Sequence, residues 1–75
     1  MNDFNNKMLK QLRLDHNYSL SVVGELTGLN KSTIANYESG KTSPCFHALV
    51  ELSKVFQIPM ENFVRREEEE KEEVG

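Results

Sequence analysis

The chain has 75 residues, which suit one small domain with a single hydrophobic core and leave little room for a large catalytic cleft. Apolar residues make up 37% and charged residues 28%, and the longest uninterrupted apolar run is three residues, so we expect a soluble protein without a membrane span or signal peptide. The net charge of -3, averaged over the whole chain, argues against a polyanionic partner.

Two helices are predicted before residue 28, and the apolar spacing indicates an all-α chain without an alternating strand. The first helix has apolar residues at helical spacing: Phe4, Met8, Leu9 and Leu12. Ser19 is a good N-cap for the second. One face of that helix is expected to be buried, with Leu20, Val23, Leu26 and Thr27. Gly28 ends it, because glycine takes the left-handed conformation without a Cβ penalty.

Three further helices are predicted between residues 30 and 64. Asn30 is an N-cap type that begins a third helix over about residues 31–39, and Gly40 ends it. Pro44 is placed to start a fourth. Its apolar stripe comprises Phe46, Leu49, Leu52, Ser53 and Phe56. After Pro59 a short fifth helix is predicted around Met60. These five helices form a compact all-α domain, residues 1–64.

Residues 65–75 form a separate acidic tail. They hold six Glu against Arg65, Arg66 and Lys71, a local charge of -3, so residues 1–64 carry six basic and six acidic side chains and are neutral. We expect this tail to be solubilising, either frayed or helical for a turn or two through i, i+4 pairs. An unknown protein partner that binds the tail is the alternative.

The residues that commonly hold metals or perform catalysis are sparse. A single cysteine, Cys45, excludes an intrachain disulfide and a multi-cysteine zinc site, and it suits a reducing cytoplasm. Cys45 and His47 would lie about 200° apart on a helix, so no metal site is predicted. No nucleophile with a base, carboxylate pair or glycine-rich phosphate loop is found, and we therefore expect no enzyme and no cofactor.

Residues 20–39 fit two helices that cross at a steep angle. Such a crossing needs a small residue in the first helix, a glycine in the turn and an apolar anchor in the second, and these are Gly24, Gly28 and Ile34. With Ile34 turned inward, a polar set faces outward: Ser32, Thr33 and Asn36. Lys31 lies in the first turn, where the helix dipole does not favour a cation, so a nearby phosphate or guanine would explain it.

Residues 18–41, with Pro44 and the apolar positions of the fourth helix, resemble the Cro and lambda-repressor-like helix-turn-helix domains, also called the XRE family. The resemblance covers about residues 4–64 and is carried chiefly by Ser-Thr-Ile-x-x-Tyr-Glu-x-Gly-Lys at 32–41. It implies a cytoplasmic transcription regulator, a repressor, whose third helix enters the major groove of double-stranded operator DNA.

The resemblance also implies roles for individual residues. Base contacts are implied for Lys31, Ser32, Thr33 and Asn36. Phosphate contacts are implied for Asn30, Lys41, Thr42 and Ser43. An ion pair between Arg13 and Glu38 would brace the first helix against the third. Tyr37 and Phe46 are expected to lie in the core, with the edge of Phe46 near the DNA backbone as the alternative.

Two positions depart from the family pattern. Leu20 stands where glutamine is usual and lacks the donor that supports a phosphate contact. Gly24 stands where alanine is usual. Because glycine inside a helix costs roughly 0.5 to 1 kcal/mol relative to alanine, Gly24→Ala is predicted to raise the melting temperature.

Tight DNA binding by so small and weakly basic a domain needs two copies on a palindrome, with half-sites about one helical turn apart. The predicted homodimer surface lies at the fifth helix and comprises Ile58, Met60, Phe63 and Val64. An antitoxin-like protein-interaction module that also binds its own promoter is the alternative function.

Overall fold

The computed structural model describes residues 4–64, which form four α-helices and one 3₁₀ helix. In chain order these are α1 (Asn6–Asp15), α2 (Leu20–Thr27), α3 (Lys31–Ser39), α4 (Phe46–Phe56) and the 3₁₀ helix η1 (Met60–Phe63). The all-helical class and the order of the elements agree with the sequence. The fifth element differs in type: it has four residues between an extended Pro59 and an extended Val64, too few for a stable α-helix.

The helix boundaries are set by local capping. Asn5 Oδ1 accepts a hydrogen bond from Met8 N at 3.2 Å, and Ser19 Oγ accepts one from Val22 N at 3.1 Å. Gly28 ends α2 with φ 78°, and α3 ends in the same way at a glycine. α4 ends instead at Gln57, a non-glycine residue at φ 58°. Short polar and glycine signals therefore determine most of the chain's turns.

The core is formed by residues from every helix and from the segment before α1. Its buried apolar members are Phe4, Leu9, Val23, Ile34, Tyr37, Ala48, Leu52, Phe56 and Phe63. The Phe4 ring stacks on Phe63 with centroids 5.8 Å apart and meets Tyr37 edge-on at 6.3 Å. Tyr37 is thus a core residue, as expected. Within residues 4–64, no helix has the length and hydrophobicity of a membrane span.

Two residues expected in buried faces are exposed. Phe46 is 70% exposed and Leu26 is 50% exposed. The buried stripe of α4 runs through Ala48, Leu52 and Phe56, at i, i+4 and i+8, and Phe46 lies about 120° around the helix from its centre. The prediction that Phe46 belongs to the buried stripe was therefore wrong, because the residues that α4 buries lie on a different side of the helix.

The two ends of the described chain meet. Phe4 and Val64 form an antiparallel bridge, and Asn5 N donates to Phe63 O at 2.6 Å. Phe63 is fully buried beneath this bridge and cannot contribute to an outer dimer surface, which corrects its assignment. The predicted acidic tail and its protein partner concern residues 65–75, which lie outside the described residues.

Candidate nucleic-acid interface

α3 crosses α2 directly over Gly24. A Cβ built on Gly24 would lie 2.8 Å from Leu29 O, 3.2 Å from Lys31 N and 3.3 Å from Asn30 C. All three atoms belong to the backbone of the turn and the start of α3, so a flexible side chain cannot move aside to make room. This lack of space contradicts the expectation that Gly24→Ala stabilises the protein. The glycine allows the two helices to approach closely and places the start of α3.

The other end of α3 is held by an ion pair with α1. Arg13 Nε donates to Glu38 Oε2 at 2.6 Å and Arg13 Nη2 donates to Glu38 Oε1 at 3.1 Å, in a bidentate arrangement. The two side chains are only 12% and 7% exposed. The hydrogen bond to Glu38 raises the pKa of Arg13 against the opposing effect of burial. This is the pair that the resemblance implied.

Two further hydrogen bonds reinforce that contact. Arg13 Nη1 donates to Tyr18 O at 3.0 Å, which also fixes the chain between α1 and α2. Asn6 Nδ2 donates to Glu38 O at 3.0 Å, so α1 also binds the backbone of α3. No local sequence signal indicated the Asn6 contact, since it joins residues far apart in the chain. α3 is therefore held by packing at its first residues and by polar contacts at its last turn.

The outward face of α3 presents the predicted base-contacting residues together. Ile34 is fully buried, while Lys31 and Ser32 are exposed and Thr33 and Asn36 are half-buried. Within residues 4–64, neither Lys31 nor the Asn36 side-chain amide has a hydrogen-bonding or ionic partner. The face is thus a short polar strip whose donors and acceptors are available to a ligand.

The loop after α3 lies beside this strip because Asn36 O binds its backbone. Lys41 N and Thr42 N donate to Asn36 O at 3.0 and 3.3 Å. Lys41, Thr42 and Ser43, the predicted phosphate contacts, are all exposed. The structure therefore places this loop at the C-terminal end of the polar strip, while Asn30 lies exposed at its other end.

Capping divides the four α-helices into two pairs. The starts of α1 and α2 are capped by side chains, whereas Asn30 before α3 and Cys45 before α4 make no side-chain cap hydrogen bond within the described chain. The first N–H groups of a helix lack intrahelical partners and favour anions. Both uncapped helix starts adjoin the predicted phosphate-contacting residues. The sequence predicted Asn30 as the residue before α3, but it did not predict that the Asn30 side chain makes no capping hydrogen bond and is available to a ligand.

The described residues contain no cluster of three His, Cys, Asp or Glu side chains that would hold a metal ion. Phe46 was expected in the core, but it is exposed, and it follows the loop that holds the predicted phosphate contacts. The signal was present in the sequence, because Ala48, Leu52 and Phe56 also form a helical stripe, and that stripe excludes Phe46.

Comparison with known proteins gives a consistent result. The family model HTH_3, helix-turn-helix, matches residues 9–63. The HTH-type transcriptional regulator AnsR of Bacillus subtilis is 38% identical over 61 residues, which are 81% of this chain and 53% of AnsR. YgzD, an uncharacterized HTH-type transcriptional regulator of the same species, is 33% identical over 61 residues, 81% of this chain and 92% of YgzD. The chain thus spans about half of the first relative.

Solved structures show the same architecture. SinR, a master regulator for biofilm formation solved in complex with DNA, has a TM-score of 0.72 at 27% identity, over 77% of this chain and 94% of that one. The P22 c2 repressor, solved with a synthetic operator, has a TM-score of 0.78 over 84% of this chain and 96% of that one. Its identity is 19%, so it shows a shared fold alone.

Proposed function

The chain belongs to the helix-turn-helix family HTH_3, and from that premise we propose that it is a sequence-specific DNA-binding transcription regulator. The observation that carries the proposal is the outward polar strip of α3, held at one end by the Gly24 crossing and at the other by the pair of Arg13 with Glu38. A rigidly held helix with exposed hydrogen-bonding groups fits the requirements of a major-groove reader. SinR, similar over most of this domain, was solved bound to DNA.

Each residue of the strip can contact particular atoms on the base edges in the major groove. Lys31 suits guanine O6 and N7, and the amide of Asn36 suits adenine N6 and N7 in a bidentate contact. The Ser32 hydroxyl can donate a hydrogen bond to either of these base pairs or accept one from it, and the methyl group of Thr33 fits against a thymine methyl. Sequence-independent contacts to phosphates come from Asn30 at the uncapped start of α3 and from three residues of the loop that follows α3: Lys41, Thr42 and Ser43.

We expect Asn36→Ala and Lys41→Ala to weaken DNA binding in different ways. Selection from a random duplex pool first supplies the preferred sequence. Asn36→Ala should reduce affinity for that sequence by about 1 to 3 kcal/mol and leave random duplexes nearly unaffected. Lys41→Ala should weaken binding to both, and should flatten the slope of log affinity against log salt by about 0.9 for one lost phosphate contact. Fluorescence anisotropy over a salt series measures both effects.

Lys54→Ala is the matched control for the loss of a positive charge. Its side chain is 68% exposed on α4, with Nζ 3.6 Å from Glu51 Oε2, and lies outside the proposed interface. It should change neither the affinity nor the salt slope. If Asn36→Ala and Lys41→Ala had equal effects on selected and random duplexes, the division between base and phosphate contacts would be wrong.

We further propose that the protein acts as a homodimer on a palindromic operator and represses by occupying a promoter. The described residues 4–64 are electrically nearly neutral, so one copy has few cations with which to bind phosphates. The proposed dimer surface retains Ile58, Met60 and Val64, of which Val64 is 39% exposed and the other two are half-buried. A two-fold dimer would place two copies of α3 in successive major grooves.

Met60→Glu is expected to shift the protein from dimer to monomer at tens of micromolar, since a buried unpaired charge disfavours an apolar contact. Sedimentation equilibrium measures the mass directly. Leu14→Glu is the control, because Leu14 is 49% exposed on α1 and lies outside the proposed surface. A monomeric wild-type protein at these concentrations, or equal behaviour of the two variants, would rule out this dimer surface.

A further inference from the structure

We propose that the acidic segment of this chain, residues 67–73, binds a group of lysines beside the loop 41–43 and competes there with DNA phosphates. The proposal rests on the proposed DNA-binding function and adds an intramolecular competitor to it. Residues 67–73 lie outside the described residues. In sequence they hold six Glu and one Lys, and four of the Glu are consecutive, at 67–70.

The domain has exposed lysines that its own ion pairs do not use. Within residues 4–64, ion pairs join Arg13 with Glu38 and Lys54 with Glu51. A single solvated lysine is ordinary on a protein surface, so the positions of the remaining lysines carry the information. Four of them are exposed and have no ionic partner in the described part of the chain: Lys7, Lys10, Lys31 and Lys41.

The described residues end beside both the start of α1 and the loop after α3. Val64 forms an antiparallel bridge with Phe4, two residues before Asn6. The Asn6 side chain lies against the loop, since its Nδ2 would be 3.3 Å from a Cβ built on Gly40. Lys41 follows Gly40 directly. The point from which the acidic segment leaves the domain is therefore close to a proposed phosphate contact.

Two of the other lysines lie in the first turns of α1, next to Asn6. Lys7 follows Asn6 directly, and Lys10 lies one turn further along, about 40° around the helix from Asn6. Lys7, Lys10 and Lys41, here called the basic region, thus all lie near Asn6 and within a short distance of Val64. Three of the four unpaired lysines surround the start of the acidic segment.

The acidic segment is long enough to cover the basic region. Glu67 follows Val64 by three residues, which span at most about 11 Å, and Glu73 follows it by nine, which span at most about 32 Å. Attachment through so short a connection gives an effective concentration on the order of millimolar. Single surface ion pairs are weak, so binding requires several glutamates to meet the three lysines together.

Binding of the acidic segment and binding of DNA exclude each other at Lys41. A glutamate bound to its ammonium takes the place that a phosphate needs, so the segment lowers the apparent affinity for any duplex. If about 80% of the molecules hold the segment in place, the apparent affinity falls about fivefold.

Neutralising part of the segment in the full chain tests this competition. Glu69→Gln with Glu70→Gln should raise affinity about threefold for selected and random duplexes alike, measured by anisotropy at about 0.05 M salt. Asp15→Asn with Glu25→Gln is the matched control, because it removes the same charge from exposed positions on α1 and α2. It should leave affinity nearly unchanged. Equal gains from the two pairs would show that net charge sets the affinity, and the proposal would be wrong.

Lys7→Gln with Lys10→Gln tests the basic region itself, since neither lysine is among the proposed DNA contacts. In this background, the gain from Glu69→Gln with Glu70→Gln should largely disappear, because the segment has lost two of its three cations. Long-range repulsion between the segment and DNA would instead preserve the threefold gain. That result would overturn the proposal.

Spectra of the free protein test the contact without DNA. Between the wild type and Glu69→Gln with Glu70→Gln, amide ¹H–¹⁵N shifts should differ at residues 6–10 and 40–43 and agree along α4. Equal shifts at those residues would exclude the contact. Differences that appeared only at raised protein concentration would mean binding to a second copy, which also contradicts the proposal. If no variant bound any duplex, the proposed DNA-binding function would fail, whereas these spectra would still report the contact.

Discussion

Glu38→Ala is expected to lower the free energy of unfolding by roughly 3 kcal/mol, the low end for breaking a buried ion pair. For a domain of this size that corresponds to a fall of about 12 to 24 °C in melting temperature. The reason is that Arg13 would keep its charge in a site where its side chain is only 12% exposed. Its remaining hydrogen bond to Tyr18 O compensates only in part. Thermal unfolding followed by circular dichroism measures the change.

Glu51→Ala is the matched control, because it also removes one glutamate from an ion pair. Its partner Lys54 is 68% exposed, and surface pairs of this kind contribute about 0 to 1 kcal/mol. The double variant Arg13→Met with Glu38→Leu should recover much of the loss, because it leaves no unpaired charge. Equal effects of Glu38→Ala and Glu51→Ala would mean that the pair with Arg13 is effectively solvated.

The ion pair also connects stability with recognition. Glu38 lies in the last turn of α3, close to the loop that Asn36 O holds, and its own backbone carbonyl accepts from Asn6. Loss of the pair should let that turn move relative to α1. We therefore expect Glu38→Ala to weaken DNA binding even at temperatures where the variant is fully folded, since base contacts require a fixed orientation of α3.

Most of the fold was predictable because it is determined by local signals. Ser19 caps α2, and Gly28 takes the left-handed conformation that ends it, so their roles follow from residue type alone. The fifth helix was predicted at the right place but not with the right hydrogen bonding, since four residues after Pro59 satisfy a 3₁₀ turn as well as an α-helical pattern. Local sequence therefore predicts the positions of the turns better than the hydrogen-bonding pattern of a short segment.

The candidate site was predictable in part. Helical periodicity placed Ile34 inward and Asn36 outward, which agrees with their burial. The exposure of Phe46 was missed, because an apolar residue at the start of a helix can belong to either of two overlapping stripes. The contact between Asn6 and Glu38 O joins parts of the chain that no local rule connects. Such contacts depend on how whole helices pack, which residue spacing does not determine.

Gly24→Ala is expected to lower the melting temperature by up to about 20 °C, the reverse of what helix propensity predicts. Alanine gains roughly 0.5 to 1 kcal/mol inside a helix. Here its methyl group would lie 2.8 Å from Leu29 O, and crowding of this kind typically costs about 1 to 3 kcal/mol. The crowded atoms belong to a turn that is closed by the hydrogen bond from Leu29 N to Gly24 O at 2.8 Å. The added methyl group can therefore be accommodated only if α2 and α3 move apart.

Two controls separate crowding from propensity. Ser21→Ala replaces an exposed residue of the same helix and should raise the melting temperature slightly, because only propensity changes. Gly24→Val should destabilise more than Gly24→Ala, since its larger side chain meets the same backbone. DNA binding should weaken together with stability in the Gly24 series, because Lys31 begins α3 only 3.2 Å from the added Cβ. A melting temperature that rose for both Ser21→Ala and Gly24→Ala would show that the turn relaxes freely and that the close crossing is not required.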